Sequence, residues 1–337
     1  MVMYSLDPTW RRLIRGDLSW ETLRTRSRVL ARIRAFFADR GFLEVDPPIA
    51  LPYPNIDPNV FPVRVADAAG RGARLFLHTS PELSMKKLLA AGSGDIFYLG
   101  RVFRDREGSP LHNPEFTMLE WYRAGAGAGT VMADIEDLCR DLAREVLGRE
   151  EIRRDGAAVS LAGPWARWEL SDAFAELLGA APTDAAGLRA ALSRRGARPG
   201  ADEGWDDLFF RACVDVVEPA LRGRGAVFLA GFPSALAAMA RRRDGDASVC
   251  ERFEGYVAGI ELVNGYEELT DPREQEERLA ELAARHRHQT GEELRVDPDF
   301  IDSLRMGLPP CSGAALGVDR LVMLLLEKDS IADVAYR

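Results

Sequence analysis

Residues 101–122 read RVFRDREGSPLHNPEFTMLEWY. An apolar run delivers Arg104, a polar turn through Gly108, Ser109 and Pro110 follows, and a second run returns with Phe116, Glu120 and Tyr122. The pattern is strand, turn, strand. Arginine's planar fork suits a carboxylate or a phosphate, and an aromatic on the return strand suits a flat base. Glu120 and Tyr122 lie two apart, so they share one face of their strand. A solvated surface hairpin also carries charges, but the dense run His112-Asn113-Pro114-Glu115-Phe116 asks for more than solubility.

Upstream, Val29, Leu30, Ile33, Phe36 and Phe37 mark one face of a helix over 25–40. Gly41 closes it, and Leu43–Asp46 alternates as a short strand stopped by Pro47-Pro48. Residues 1–23 read as an N-terminal arm with a short helix. Between lie a strand over 60–65, a strand over 75–78 and a helix over 81–90 entered through Ser80-Pro81. Downstream, 131–147 is an amphipathic helix, and 150–225 holds helical pieces without evident chemistry. Residues 253–262 read as one strand carrying Glu254 and Glu261, followed by a turn at Asn264-Gly265 with Glu268 beyond it. Two carboxylates from one strand in an apolar setting can hold Mg²⁺ beside phosphates. Asp271-Pro272 opens a helix. Small residues over 313–316 form a strand, and Asp319 and Arg320 open an apolar helix over 318–326, where Arg320 either takes an anionic partner or pairs with Asp319. Strands and helices do not alternate regularly, which predicts an α+β fold with a mostly antiparallel sheet. There is no GxxxxGK[ST] loop and no strand-borne GxGxxG, so a nucleotide needs another kind of site.

The chain of 337 residues carries a formal net charge of -9, which lacks the basic footprint of a nucleic-acid binder. Its four cysteines form no CxxC pair and read as reduced structural thiols in a cytoplasmic protein. No long apolar run signals a membrane span.

Taken together and in this order, the segments resemble the three motifs of class II aminoacyl-tRNA synthetases. Arg28–Pro48 matches motif 1 (helix, strand, proline), Phe103–Tyr122 matches motif 2, and Gly313–Leu324 matches motif 3 with its Gly-x-Asp-Arg. HNPEFTMLE and GIELVNGYEELTD look like the lysyl-tRNA synthetase branch. The resemblance implies a six-stranded antiparallel sheet flanked by helices, a catalytic domain over 24–337, and a homodimer through motif 1. Lysyl-tRNA synthetases place an anticodon-reading OB domain ahead of motif 1. Residues 1–23 are too few to hold one. A free-standing core with Cys311-Ser-Gly and Glu120-Trp-Tyr-Arg resembles instead the family that attaches (R)-β-lysine to a lysine of translation elongation factor P. Ala315 stands where lysyl-tRNA synthetases usually have glycine, and its methyl biases the pocket wall toward another isomer.

The resemblance also implies site roles, with ATP and Mg²⁺ as cofactors and lysine or (R)-β-lysine as substrate. Arg104 and Arg320 would be catalytic. Arg104, Glu107, His112, Asn113, Phe116, Glu261 and Arg320 would bind ATP, with Phe116 stacked on adenine. Glu254 and Glu261 would hold the metal. Ser80, Glu82, Glu120, Tyr122, Asn264, Tyr266, Glu268 and Ala315 would line the substrate pocket. Arg106 stands where the family carries an acidic residue, which shifts that contact to Glu107, and Pro110-Leu111 replaces a loop arginine. Elongation factor P is the expected partner, with no tRNA and no membrane. The alternative is a truncated lysyl-tRNA synthetase paralogue that uses α-lysine and charges tRNA or a small amine. A scaffolding paralogue without chemistry would be expected to lose Arg104, Glu261 or Arg320, and all three are present.

Overall fold

The structure, a computed structural model, describes residues 7–57, 59–70 and 72–336. Among these residues the largest sheet has nine strands, β1 (Leu43–Glu44), β2 (Ile96–Phe103), β3 (Glu115–Ala124), β4 (Ala166–Glu169), β5 (Ala226–Pro233), β6 (Arg242–Arg243), β7 (Asp246–Val257), β8 (Ile260–Glu267) and β9 (Cys311–Gly317). Their order is β1-β2-β3-β9-β8-β7-β5-β4, with β6 added to β7. The six strands from β2 to β5 are all antiparallel. The six-stranded expectation therefore describes the centre but not the whole sheet. Two short strands extend it in parallel at its edges, β1 on β2 and β4 on β5.

Alternation across this sheet separates core from site. Leu119, Trp121, Val263, Ala314, Leu316 and Phe253 point to one face. There they pack under helices Trp20–Ala38, Ala128–Leu147 and Val318–Leu325. Val29, Ile33, Phe36 and Phe37 bury in this same core, so the apolar face of the first long helix is spent inside its own chain. That helix starts at Trp20, earlier than its periodicity indicates, because Ser19 accepts from the backbone of Thr22 and caps it. The arm before it does hold a short helix, Thr9–Arg15, and residues 1–6 lie outside the described residues.

The opposite face carries the even-numbered residues of β3 and β7, the odd-numbered ones of β9 and, on β8, Asn264 and Tyr266; an irregularity in the β7–β8 pairing turns Glu261 to this side while Ile260 joins the core. Helices Glu82–Ala90 and Pro298–Gly307 border it. A third cluster, around Leu170, Phe174, Leu208 and Phe209, joins the 170–221 helices to β5 and gives that stretch a packing role.

Two readings of the 253–268 region are corrected. Residues 253–262 are not one strand, because β7 and β8 meet in a tight turn at Ala258-Gly259, both with positive φ. This is the backbone a two-residue hairpin needs, and Ala-Gly hides it where Asn-Gly would announce it. Asn264-Gly265, conversely, lies inside β8 and is not a turn. Gly265 is needed there for close approach, since a Cβ would meet Phe253, the Gly313 carbonyl and Ala314. The strand expected over 60–65 forms later, at Arg64–Ala66.

Candidate active site

Register places the site residues in two rows across the sheet. Glu120 pairs with Ala315, Ala315 with Asn264, and Asn264 with Glu254. One step along, Tyr122 pairs with Gly313, Gly313 with Tyr266, and Tyr266 with Arg252. Side chains two apart on neighbouring strands share a face, so both rows open into the same cleft. Gly313 lets the Tyr122 ring lie flat against the strand, because a Cβ there would sit 2.4 Å from the ring.

One cavity is lined by Ser80, Glu82, Arg104, Glu120, Tyr122, Asn264, Tyr266, Glu268 and Ala315. Every residue expected to line the substrate pocket is thus brought together. Glu120 and Glu268 are each 2% exposed. Ser80 Oγ donates to Glu120 at 2.7 Å and Tyr122 OH donates to its other oxygen at 2.7 Å. Ser80 Oγ also accepts from the Glu82 backbone N–H at 3.0 Å, which ties the start of the 82–90 helix to the pocket floor. Tyr266 OH donates to Glu82. Burial, reinforced by the neighbouring Glu82, pushes the Glu120 carboxyl up to about 7. Burial pushes Glu268 up to about 8, against the pull of Lys86.

Three features in or behind this cavity have no motif to announce them. Lys86 is fully buried with its ammonium 2.6 Å from Glu82 and 2.5 Å from Glu268. Its spacing of four from Glu82 was the available clue. Arg252 donates to Asn264 Oδ1 at 3.2 Å and to Glu254 at 2.6 Å. The segments 55–57 and 236–240 supply the outer walls from loops whose sequence announces nothing.

A second cavity adjoins the first and shares Arg104, Asn264 and Ala315 with it. It is lined further by Glu107, His112, Asn113, Phe116, Glu261 and Arg320. Arg320 donates to the Glu261 carbonyl at 2.7 Å and lies 3.2 Å from its carboxylate. It does not pair with Asp319, which is held 2.5 Å from the buried Arg26. Arg320 also approaches His112 Nε2 at 2.7 Å. Since arginine only donates, that nitrogen accepts, and His112 Nδ1 carries the proton toward Ser109 Oγ at 2.8 Å. Burial and the Arg320 charge lower the His112 pKa and keep the ring neutral. Arg104 sits 5.2 Å over the Phe116 ring and donates to the Thr79 carbonyl at 3.4 Å.

Arg106 adopts a positive φ of 62° and lies 4.0 Å over the Phe61 ring, away from this cavity, while Glu107 turns into it. Pro110 has its carbonyl held by the backbone N–H of Ile331 at 2.9 Å, which anchors the loop.

Glu254 and Glu261 lie on adjacent antiparallel strands, β7 and β8, and burial, with the Glu261 charge adding to it, raises the Glu254 carboxyl. Tyr256 OH donates to Glu254 at 2.7 Å. Among the described residues no group of three or more His, Cys, Asp or Glu side chains forms a metal cage. Glu261 lines the second cavity, and Glu254 lies on the neighbouring strand outside its lining, held by Arg252 and Tyr256; such a pair suits magnesium, which takes one or two protein carboxylates and completes its shell with phosphates and water.

The chain matches tRNA synthetases class II (D, K and N) over residues 4–336. It belongs to that family. Relatives named elongation factor P--(R)-beta-lysine ligase occur in Salmonella gallinarum, Salmonella paratyphi B and Salmonella heidelberg. Each is 39% identical over 333 residues, covering 97% of this chain and 96% of the relative. The family anticipated from the three motifs is the family found, and its class II sheet is the one described above. Among the described residues no helix is long and apolar enough to cross a membrane.

Proposed function

We propose that this class II chain activates (R)-β-lysine or lysine with ATP and transfers the acyl group to a lysine side chain of translation elongation factor P. The carrying observation is the first cavity, where three carboxylates, Glu82, Glu120 and Glu268, stand around a pocket that shares Arg104 with the second cavity. An ammonium ion is costly to bury unless a carboxylate meets it. A substrate with two amines and one carboxylate satisfies this arrangement. The names of the relatives support the same substrate and partner.

In this reading Glu120, Tyr122 and Glu268 take the distal ammonium, Glu82 the amine nearer the reacting end, and Ser80 fixes both Glu82 and Glu120. Asn264, oriented by Arg252, meets the carboxylate end. Tyr266 and Ala315 shape the wall between them. Arg104 steadies the substrate carboxylate and the α-phosphate together as charge develops. A carboxylate oxygen attacks the α-phosphorus, the bond to pyrophosphate breaks, and a mixed anhydride with AMP forms. A neutral ε-amine of the partner then attacks the acyl carbon, forming the amide and releasing AMP and a proton. Phe116 offers its ring to adenine, with Glu107, His112 and Asn113 around the nucleotide. Arg320 holds the far phosphates. Glu254 and Glu261 would hold Mg²⁺, which supplies charge neutralisation at the phosphates. Positioning and electrostatics provide the acceleration.

A homodimer belongs to the same reading. Trp10, Ile14 and Trp20, exposed beside the first long helix, support it, and sedimentation equilibrium checks it.

ATP–pyrophosphate exchange tests the activity. Exchange driven by (R)-β-lysine more strongly than by α-lysine is expected, and no exchange with either isomer refutes it.

A further inference from the structure

Lys86 is a buried cation to which the chemistry above gives no task. It lies one turn after Glu82 on the 82–90 helix and is 1% exposed. Its ammonium stands between Glu82 at 2.6 Å and Glu268 at 2.5 Å, with Met239 Sδ at 3.3 Å and the Tyr266 ring centroid 5.2 Å away. A surface pair at this helical spacing contributes little. A buried ion pair often contributes no more than packed apolar side chains of the same size, so stability alone does not call for a lysine here. What Lys86 changes is charge. Burial raises the Glu120 and Glu268 carboxyls, whereas the Lys86 charge pulls Glu268 back down. A protonated carboxyl does not bind an ammonium ion as a carboxylate does.

We propose that Lys86 is a built-in counter-ion that holds the Glu82 and Glu268 side chains in place and favours the charged form of Glu268 over the neutral one. The pocket then carries three carboxylates against one fixed ammonium, and two substrate ammonium groups balance the remainder. Lys86 is in this sense a positioning residue for substrate selection. The inference rests on the reading that this cavity takes a diammonium acid. The titratable groups around Lys86 are Glu82 on its own helix, Tyr266 on β8 and Glu268 just beyond it, Glu120 on β3 with Tyr122 bonded to it, and Cys311 on β9. Burial raises the tyrosines and the thiol, so the carboxylates are the groups that change charge near neutrality.

The test is the pH dependence of kcat/KM for α-lysine and (R)-β-lysine in ATP–pyrophosphate exchange, between about pH 6 and about pH 9.5. Lys86→Met should move the acid limb upward by about one unit or more. Activity at about pH 7 should fall about tenfold or more, climb again only as pH rises through about 9, and leave KM for ATP unchanged. Lys86→Met/Glu268→Gln removes the orphaned carboxylate with the cation, and its acid limb should return to or below the wild-type position. The double variant decides alone should the single one not fold, because it buries no unpaired charge at Glu268. An unmoved limb in Lys86→Met, a KM rise that no pH relieves, or a limb still displaced upward in the double variant overturns the proposal. Wild-type protein without lysine-dependent exchange overturns the substrate reading and this inference together, whereas wild-type exchange with an unmoved limb removes the role of Lys86 alone.

Discussion

The two ends of the cleft hold their charges differently. At the amino-acid end the carboxylates already have partners: Glu82 and Glu268 share Lys86, and Glu120 takes Ser80 and Tyr122. At the nucleotide end the arginines lean mainly on groups they can leave. Arg104 rests on a carbonyl and an aromatic face, and Arg320 on two carbonyls, a neutral histidine and a half-exposed carboxylate. Pre-paired charges keep their geometry whether or not substrate is present, which suits reading the spacing of two amines. Loosely held arginines suit a polyphosphate that arrives, reacts and leaves.

The largest expected effect strikes the support of the nucleotide end, where Asp319 lines the second cavity. Arg26 reaches Asp319 at 2.5 Å and Thr117 at 2.8 Å, tying the first long helix to the helix that presents Arg320 and to β3. Arg26→Met strands a buried carboxylate, and should lower unfolding stability by about 3–5 kcal/mol in a denaturant titration. Next comes Arg104→Ala, which removes the cation common to both cavities. Exchange should fall about 10²–10³-fold in kcat/KM. A loss confined to KM for ATP would show that Arg104 serves one end only.

Tyr122→Phe probes the pre-paired end alone. It removes a hydrogen bond that favours the charged form of Glu120. Glu120 stands at about 7, so activity that needs its carboxylate falls as pH drops through that value. The variant should shift the acid limb further upward and cost about tenfold in kcat/KM for lysine near neutrality. The smallest effect belongs to the loop. Arg106→Gly releases a positive φ and gives up the contact with Phe61, two opposing changes of about 1 kcal/mol or less. Exchange and melting temperature should stay close to wild type, and a large loss would place Arg106 in the nucleotide end after all.

Much of this was legible because it is local. The 96–124 hairpin, the 20–38 helix face and the small-residue strand before Arg320 each announce themselves in consecutive residues. The substrate-pocket residues could be named because their motifs occur in order, although only the strand register explains why Glu120, Ala315, Asn264 and Glu254 form one row. What stayed hidden was non-local. Lys86 finds Glu268 across the fold, Arg252 finds Asn264 across two strands, and the parallel edge strands are too short to carry a pattern. The Ala258-Gly259 turn was hidden because alanine rarely adopts the positive φ required of it.

Mass spectrometry of elongation factor P after incubation with this protein, ATP, Mg²⁺ and each lysine isomer in turn tests the central claim most directly. The expected result is a gain of one lysyl residue on a lysine side chain of elongation factor P, dependent on ATP and greatest with (R)-β-lysine. An unmodified elongation factor P with every isomer, under conditions where the protein carries out exchange, would contradict it.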